Sequence, residues 1–254
     1  MANARLAQYQ RLFHTGHAEA IHAGLSDPTK ATTTDLISWL GSCQAEWTRH
    51  TYWSSAHSWF TWLVQMDIRA DDPMARLPKP RKPSSLPRPA PTWAINKVLA
   101  DPPSRRAYAY VTLAAYCGLR VHEIAKITGE DFDGDWLYVE GKGGQRAAVP
   151  VQERVARLAH GQPSRGFWFP GSTDGHVNSH VVSSVVSSAM RAAGADVTAH
   201  QLRHWFGTQV LRTSHDLRVA QELLRHRSPA STAIYTEVAS EDKQRAIRRL
   251  SWAA

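Results

Sequence analysis

The sequence predicts a mainly α-helical protein in two parts, with one small antiparallel β-hairpin or sheet in the second. Three observations carry this. Apolar residues recur at helical spacing over most of the chain; a proline-rich basic stretch, Arg76 to Pro91, breaks that pattern once; and the period shortens to two only between Asp135 and Val151. The 254 residues allow one large domain or two smaller ones with a real core.

Residues 1–75 read as a small helical domain of about four helices. Thr34 and Asp35 are start signals for a helix carrying Leu36, Trp39 and Leu40; Tyr52, Trp59, Leu63 and Val64 recur along a second, which Asp71-Asp72-Pro73 stops. Trp39, Trp47, Trp53, Trp59, Phe60 and Trp62 read as core residues rather than a base-stacking surface. Residues 76–91 carry six prolines, five basic residues and no acidic one. Proline fixes φ and withholds a donor, so the stretch is expected to be an extended inter-domain linker able to span roughly 50 Å. Arg76, Lys79, Arg81, Lys82 and Arg88 suit the phosphates of a duplex, and an ordinary solvated tether is the alternative.

Residues 92–254 form the second part. Helical patterns cover 92–100, 104–117 and 121–127, with Gly118 between the last two. Residues 135–140 and 145–151 are β-rich runs separated by Gly141-Lys142-Gly143-Gly144, a hairpin signature with the lysine at its tip. Helical patterns resume at 151–159, 179–193, 200–213, 216–225 and 240–250. The segment 240–254 opens on a capping serine and acids and ends on Arg245, Arg248 and Arg249, as an amphipathic terminal helix would.

Composition narrows the function. The formal net charge of +8 favours a polyanionic partner. The longest apolar-rich stretch, Ala107 to Leu119, is well short of the ~18–20 residues a bilayer crossing needs, and the amino terminus lacks a secretory apolar block. A cytoplasmic protein is expected. Cys43 and Cys117 cannot form a disulfide framework or a four-thiolate zinc site, and are expected to be buried reduced thiols.

Single motifs decide little. His200-x-x-Arg203 has a twin in His215-x-x-Arg218, and chance alone gives about one such pair in a chain of this composition. Order and setting are informative: Gly118-Leu119-Arg120 with Glu123, then Lys142 on a glycine hairpin, His200-Gln-Leu-Arg203-His204, His226, and Tyr235 within Thr232-Ala-Ile-Tyr-Thr-Glu-Val238. This series resembles the tyrosine recombinases, the phage integrase family of site-specific DNA recombinases, from about Ala115 to Val238. The helical amino-terminal part and the linker look like the family's core-DNA-binding domain, followed by its catalytic domain; residues 1–30 have no clear counterpart. The length before the linker leaves no evident arm-site-binding domain.

The resemblance implies Arg120, Lys142, His200, Arg203, His226 and Tyr235 as catalytic residues, with Glu123 supporting Arg120. Cleaving a phosphodiester without metal requires a nucleophile, charge stabilisation of the non-bridging oxygens and an acid for the departing 5′ oxygen, and this set supplies all three. Tyr235 would form a 3′-phosphotyrosyl bond, Arg120 and Arg203 would hold phosphate oxygens, His200 would be the base, Lys142 the acid, and His226 a phosphate donor. No cofactor or metal is implied. The implied partners are double-stranded DNA at core-type attachment sites, a homo-tetramer on that DNA from a free monomer or dimer, and an accessory directionality factor. Helical spacing places His200 and Arg203 on one face, with Leu202, Phe206 and Val210 as an apolar stripe.

Two positions depart from the family. Arg225 precedes His226 where glycine is usual, so it either crowds the site or adds a phosphate contact; Trp205 follows His204 where a small hydroxyl residue is common. Other readings remain. A non-catalytic protein that binds or bends DNA would share the basic charge, and a Xer-like resolvase, a transposon recombinase or a type IB topoisomerase would share the chemistry. A metal hydrolase would use His14-x-x-His17 or His200-x-x-x-His204, but Gln201 stands where a metalloprotease needs its glutamate base.

Overall fold

The computed structural model of the chain describes residue 25 and residues 30–83, 88–140 and 146–226. The chain divides into two compact units, Met1–Ser84 and Ser85–Ala254.

In the first unit, α1 (Thr33–Gly41) packs against α2 (Glu46–Gln65). Thr32 caps α1: its hydroxyl accepts from the Asp35 N–H, and the Asp35 carboxylate accepts from the Thr32 N–H at 2.8 Å. The cap lies two residues before the expected start. Leu36, Trp39 and Leu40 meet Trp53, Ala56, Phe60 and Leu63 of α2 in one core with Leu25, Ala31 and Met74. Trp59 and Trp62 stack on each other and pack, partly buried, against this core, so of the expected core aromatics Trp47 alone is exposed.

Helix α2 ends at Gln65, before the Asp71-Asp72-Pro73 stop. Asp67 takes a left-handed φ of 55°, its N–H donates to Val64 O, and the Ile68 N–H donates to Leu63 O at 3.0 Å. This is a Schellman closure with aspartate in the place usual for glycine. The proline-rich segment then runs along α2. Leu77 packs on the core, Pro80 O bonds His50 Nδ1 at 2.8 Å, Lys79 Nζ sits 5.6 Å from the Trp53 ring centre and Lys82 Nζ 5.4 Å from that of Trp47.

The second unit is built around α4 (Arg105–Tyr116), which Ser104 caps. Its alanines allow close approach, and α3 (Thr92–Ala100), α6 (Glu153–His160), α7 (Ser179–Ala192) and α8 (Ala199–Ser214) surround it. Ala90 is buried here, its N–H donating to Gln201 O at 3.0 Å, so the far end of the proline-rich stretch belongs to this unit. Gly118, at φ +58°, turns the chain from α4 into α5 (Val121–Lys126); a Cβ there would strike the Phe206 ring, so only glycine fits.

Strands β1 (Trp136–Glu140) and β2 (Arg146–Pro150) form the expected antiparallel pair, in register from Trp136 opposite Pro150 to Glu140 opposite Arg146. A short β3 (Pro170–Thr173), absent from the sequence reading, bridges to His176. Helix α9 (Leu217–Leu223), capped by Asp216, packs on α8 through Phe206, Leu211, Ala220 and Leu224. His215, one residue before the helical pattern read at 216–225, ends α8 in a left-handed conformation, while Arg218 lies in the first turn of α9 and pairs with Glu222 at 2.7 Å. Cys117 is buried as expected; Cys43 is only partly so. The glycine tip around Lys142 and the terminal helix expected over 240–254 lie outside the described residues.

Candidate active site

Three segments converge on one buried carboxylate. The turn after α4 supplies Arg120, the residue preceding α5, and α5 supplies Glu123, whose side chain is fully buried. Glu123 Oε2 accepts the Arg120 backbone N–H at 2.8 Å, closing the first turn of α5, and Oε1 accepts from the Arg120 guanidinium at 2.8 Å. The Arg120 side chain remains about a third exposed (35 %), and its bond to Glu123 fixes the guanidinium's orientation.

Arg203 comes from α8. Its side chain is 3 % exposed, its two terminal nitrogens donate to Gly118 O and Leu224 O, and it stands 4.0 Å from Glu123 Oε2. One guanidinium thus holds α8, the Gly118 turn and the end of α9 in register.

Arg225 and His226 complete the group. Arg225 sits at φ 54°, its N–H donates to Glu222 O at 2.9 Å, and the His226 N–H donates to Gln221 O at 3.0 Å. The end of α9 is therefore a full Schellman motif with arginine in the left-handed place. This explains why glycine is usual at that position and what its replacement costs: about 1–2 kcal/mol for a residue with a Cβ. The Arg225 guanidinium turns inward rather than toward solvent. It donates to Glu123 Oε2 at 2.9 Å, Leu223 O at 2.9 Å and Gly118 O at 3.2 Å, with Cys117 O at 3.5 Å. Its terminal nitrogens are engaged by protein acceptors rather than offered to a phosphate.

Burial pushes the Glu123 carboxyl up, but Arg225, the Arg120 N–H, Arg203 and the Arg120 guanidinium outweigh it and hold the group below the ordinary carboxylate range. The histidines move the other way. Burial first, and then Arg203 and Arg120, lower His200; His226 is pushed down to about 4 by burial and by Arg203, Arg120, Arg225 and His204. The His200 and His204 rings meet edge to face, 4.4 Å between centres, and His204 also falls to about 4, through burial, His200 and Arg203. All three imidazoles are therefore neutral at pH 7 beside a cationic cluster. Trp205 points elsewhere: its Nε1 donates to Thr92 Oγ1 at 2.8 Å and its ring meets Tyr116, tying α8 to α3.

Arg120, Glu123, His200, Arg203 and His226 are thus one constellation, to which the structure adds Arg225 and His204. No local motif announces Arg225, because its acceptors are three carbonyls and a carboxylate 102 positions away. Lys142 and Tyr235 lie outside the described residues. Arg76, Lys79, Arg81, Lys82 and Arg88 are all exposed. Among the described residues, no three His, Cys, Asp or Glu side chains group as metal ligands would, and no helix is long and apolar enough to cross a membrane.

A mostly helical unit with one small antiparallel two-stranded sheet is the fold of a tyrosine site-specific recombinase catalytic domain, and comparison with known proteins agrees. The sequence profile of the Phage integrase family matches residues 92–242. The tyrosine recombinase XerC of Neisseria meningitidis serogroup B is 29 % identical over 84 % of this chain and 78 % of its own length; XerD of Vibrio cholerae is 32 % identical over 72 % and 67 %. Among solved structures, the integrase from mycobacterium phage Brujita is 37 % identical, covering 98 % of this chain and 91 % of its own, at a TM-score of 0.55. The XerH recombinase bound to a palindromic difH substrate shares the fold at a TM-score of 0.69, 17 % identical, over 91 % and 76 % of the two chains. The chain belongs to the phage integrase family.

Proposed function

We propose that this chain recombines DNA at specific sites as a phage-type integrase, cutting and rejoining strands through a 3′-phosphotyrosyl intermediate. The observation that carries this is the arrangement of Arg120, Arg203 and His226 near Glu123: a partly exposed guanidinium, a second, buried one, and a neutral imidazole in the field of both. Such a site stabilises two non-bridging phosphate oxygens as charge develops on them. The similarity to the Brujita integrase over nearly the whole chain favours the phage role over a Xer-like one.

In the mechanism the Tyr235 oxygen attacks the scissile phosphorus and the bond from phosphorus to the 5′ oxygen breaks. Free tyrosine titrates near ~10, so the phenol needs a base; His200, neutral at pH 7, takes its proton. Lys142 protonates the departing 5′ oxygen. The phosphotyrosyl ester conserves the energy of the original bond, so a 5′ hydroxyl from another strand reverses the reaction without a cofactor. Two protomers of a tetramer on double-stranded DNA exchange one strand pair, form a Holliday junction and then exchange the second. Arg76, Lys79, Arg81, Lys82 and Arg88 contact phosphates at the core-type site. The lambda integrase, which shares the fold, has been solved as a tetramer bound to a Holliday junction. An accessory factor sets the direction, and the protein works in the cytoplasm on the nucleoid.

The test is covalent capture. A pool of nicked duplexes with a randomised segment is incubated in EDTA with the wild-type chain or with Tyr235→Phe, then resolved under denaturing conditions. A protein–DNA adduct with the wild type alone is expected, and the captured duplexes reveal the site. DNA that is bound without any adduct would favour a non-catalytic DNA-binding protein.

The same adduct gives a pH prediction. A base with an ordinary imidazole value would lose activity as pH falls through 6.5; the lowered value of His200 keeps the reactive neutral form below that point. The acid limb of the cleavage rate is expected below pH 6.5, and a midpoint at or above 6.5 would contradict the geometry around His200.

A further inference from the structure

Arg225 occupies a place where backbone geometry favours glycine, and its side chain is nine-tenths buried, so something must offset both costs. Its contacts show what. The guanidinium joins the end of α9, through Leu223 O, to the turn before α5, through Gly118 O and Cys117 O, and to Glu123. The next residue is His226 and the Gly118 turn leads to Arg120. Arg203 bridges the same two segments from the α8 side, by way of Gly118 O and Leu224 O. We propose that Arg225 is a positioning residue of the cleavage site: it clips the turn bearing His226 to the loop bearing Arg120, and shares Glu123 with Arg120 and Arg203.

Charge arithmetic gives the clip a second consequence. Three guanidiniums around one carboxylate leave two net positive charges in the cluster. A phosphodiester carries one negative charge, and the phosphorane formed when a phenolate attacks it carries two. The cluster therefore matches the transition state more closely than the ground state, which accelerates the chemical step rather than tightening binding. Without Arg225 one net positive charge remains, and Glu123 is left to compete more strongly for the two guanidiniums that would hold the phosphate.

The inference rests on the strand-cleavage reading of the site, and the experiment separates the two. The full-length chain and its Arg225→Met, Arg225→Gly and Arg225→Lys variants are compared on a duplex recovered by covalent capture. DNA affinity, single-turnover cleavage rate and melting temperature are measured, the rates below the lowest melting temperature. Arg225→Met keeps the Cβ in the left-handed position and loses every donor; Arg225→Gly loses the donors but relaxes the backbone. The glycine variant is expected to melt higher than the methionine variant, while both cleave about 10- to 100-fold more slowly than wild type with DNA affinity almost unchanged. Arg225→Lys, which keeps the charge and reaches fewer acceptors, is expected to recover part of that loss. Glycine cleaving at the wild-type rate would overturn the proposal, as would rates that follow melting temperature across the variants. A wild-type chain that forms no adduct would instead remove the reading on which the proposal stands, and the proposal with it.

Discussion

Arg203→Lys is expected to slow single-turnover cleavage about 10²- to 10³-fold while changing DNA affinity far less, the loss typical of removing a fixed donor from a transition-state site. The substitution keeps the charge and removes the fork. Arg203 is buried between α8 and two turns, with its terminal nitrogens on Gly118 O and Leu224 O and Glu123 Oε2 at 4.0 Å. An ammonium concentrates its donors at one point and cannot reach two carbonyls on opposite sides while still facing a phosphate. At least one carbonyl would lose its partner, and the end of α9, which carries His226, would be held less firmly. Rapid-quench cleavage on a nicked duplex, with binding measured in parallel, separates the two effects. A wild-type rate would mean that charge alone matters at this position.

Glu123→Gln is expected to have the largest effect on stability. The carboxylate is fully buried, and two of its three cationic neighbours, Arg203 and Arg225, are themselves almost entirely buried. An amide keeps one acceptor oxygen where the carboxylate has two, puts an NH2 donor against arginine donors in place of the other, and neutralises nothing. Breaking a buried ion pair from one side costs about 3–5 kcal/mol because the remaining charge stays out of water. For a unit of this size that lowers the melting temperature by roughly 6–20 °C, which calorimetry of the full chain would resolve. The pH dependence has a definite sign. The folded carboxyl is held below its ordinary 4.5, so its contribution is complete above that value and is lost as pH falls through the depressed one. The wild type should therefore lose more stability than Glu123→Gln on acidification below 4.5, and parallel curves would contradict the assigned role of the carboxylate.

Much of this fold is legible because its signals are local. Pro91 before Thr92 starts α3, and the glycines between Glu140 and Arg146 separate two alternating runs that pair as β1 and β2. Where the reading fails, a tertiary choice overrides the pattern. The end of α2 is set by Asp67 adopting a left-handed φ, which aspartate tolerates but does not advertise. Strand β3 is four residues long, begins with proline and shows no alternation. Lys79 and Lys82 read as linker cations suited to duplex phosphates, and they also lie over tryptophans of α2, a contact that no spacing rule contains.

The site divides in the same way. Arg120 and Glu123 are three apart at a helix start, so their pairing could be read from the sequence, as could the shared face of His200 and Arg203. That both arginines meet on one carboxylate could not, since Glu123 and Arg203 approach only after α5 and α8 have packed in the folded unit. Arg225 shows the limit most plainly. As a sequence character it is a departure from the family, with two opposite readings; its φ and its four acceptors show a third.

The central claim is that a tyrosine of this chain becomes bonded to DNA, and the most direct measurement is the site of attachment. Adducts captured from the nicked-duplex pool are digested with nuclease and trypsin and analysed by mass spectrometry. The tryptic peptide from Ser228 to Lys243, whose single tyrosine is Tyr235, is expected to carry a residual nucleotide joined through its 3′ phosphate. A nucleotide on any other residue, or joined through a 5′ phosphate, would contradict the account.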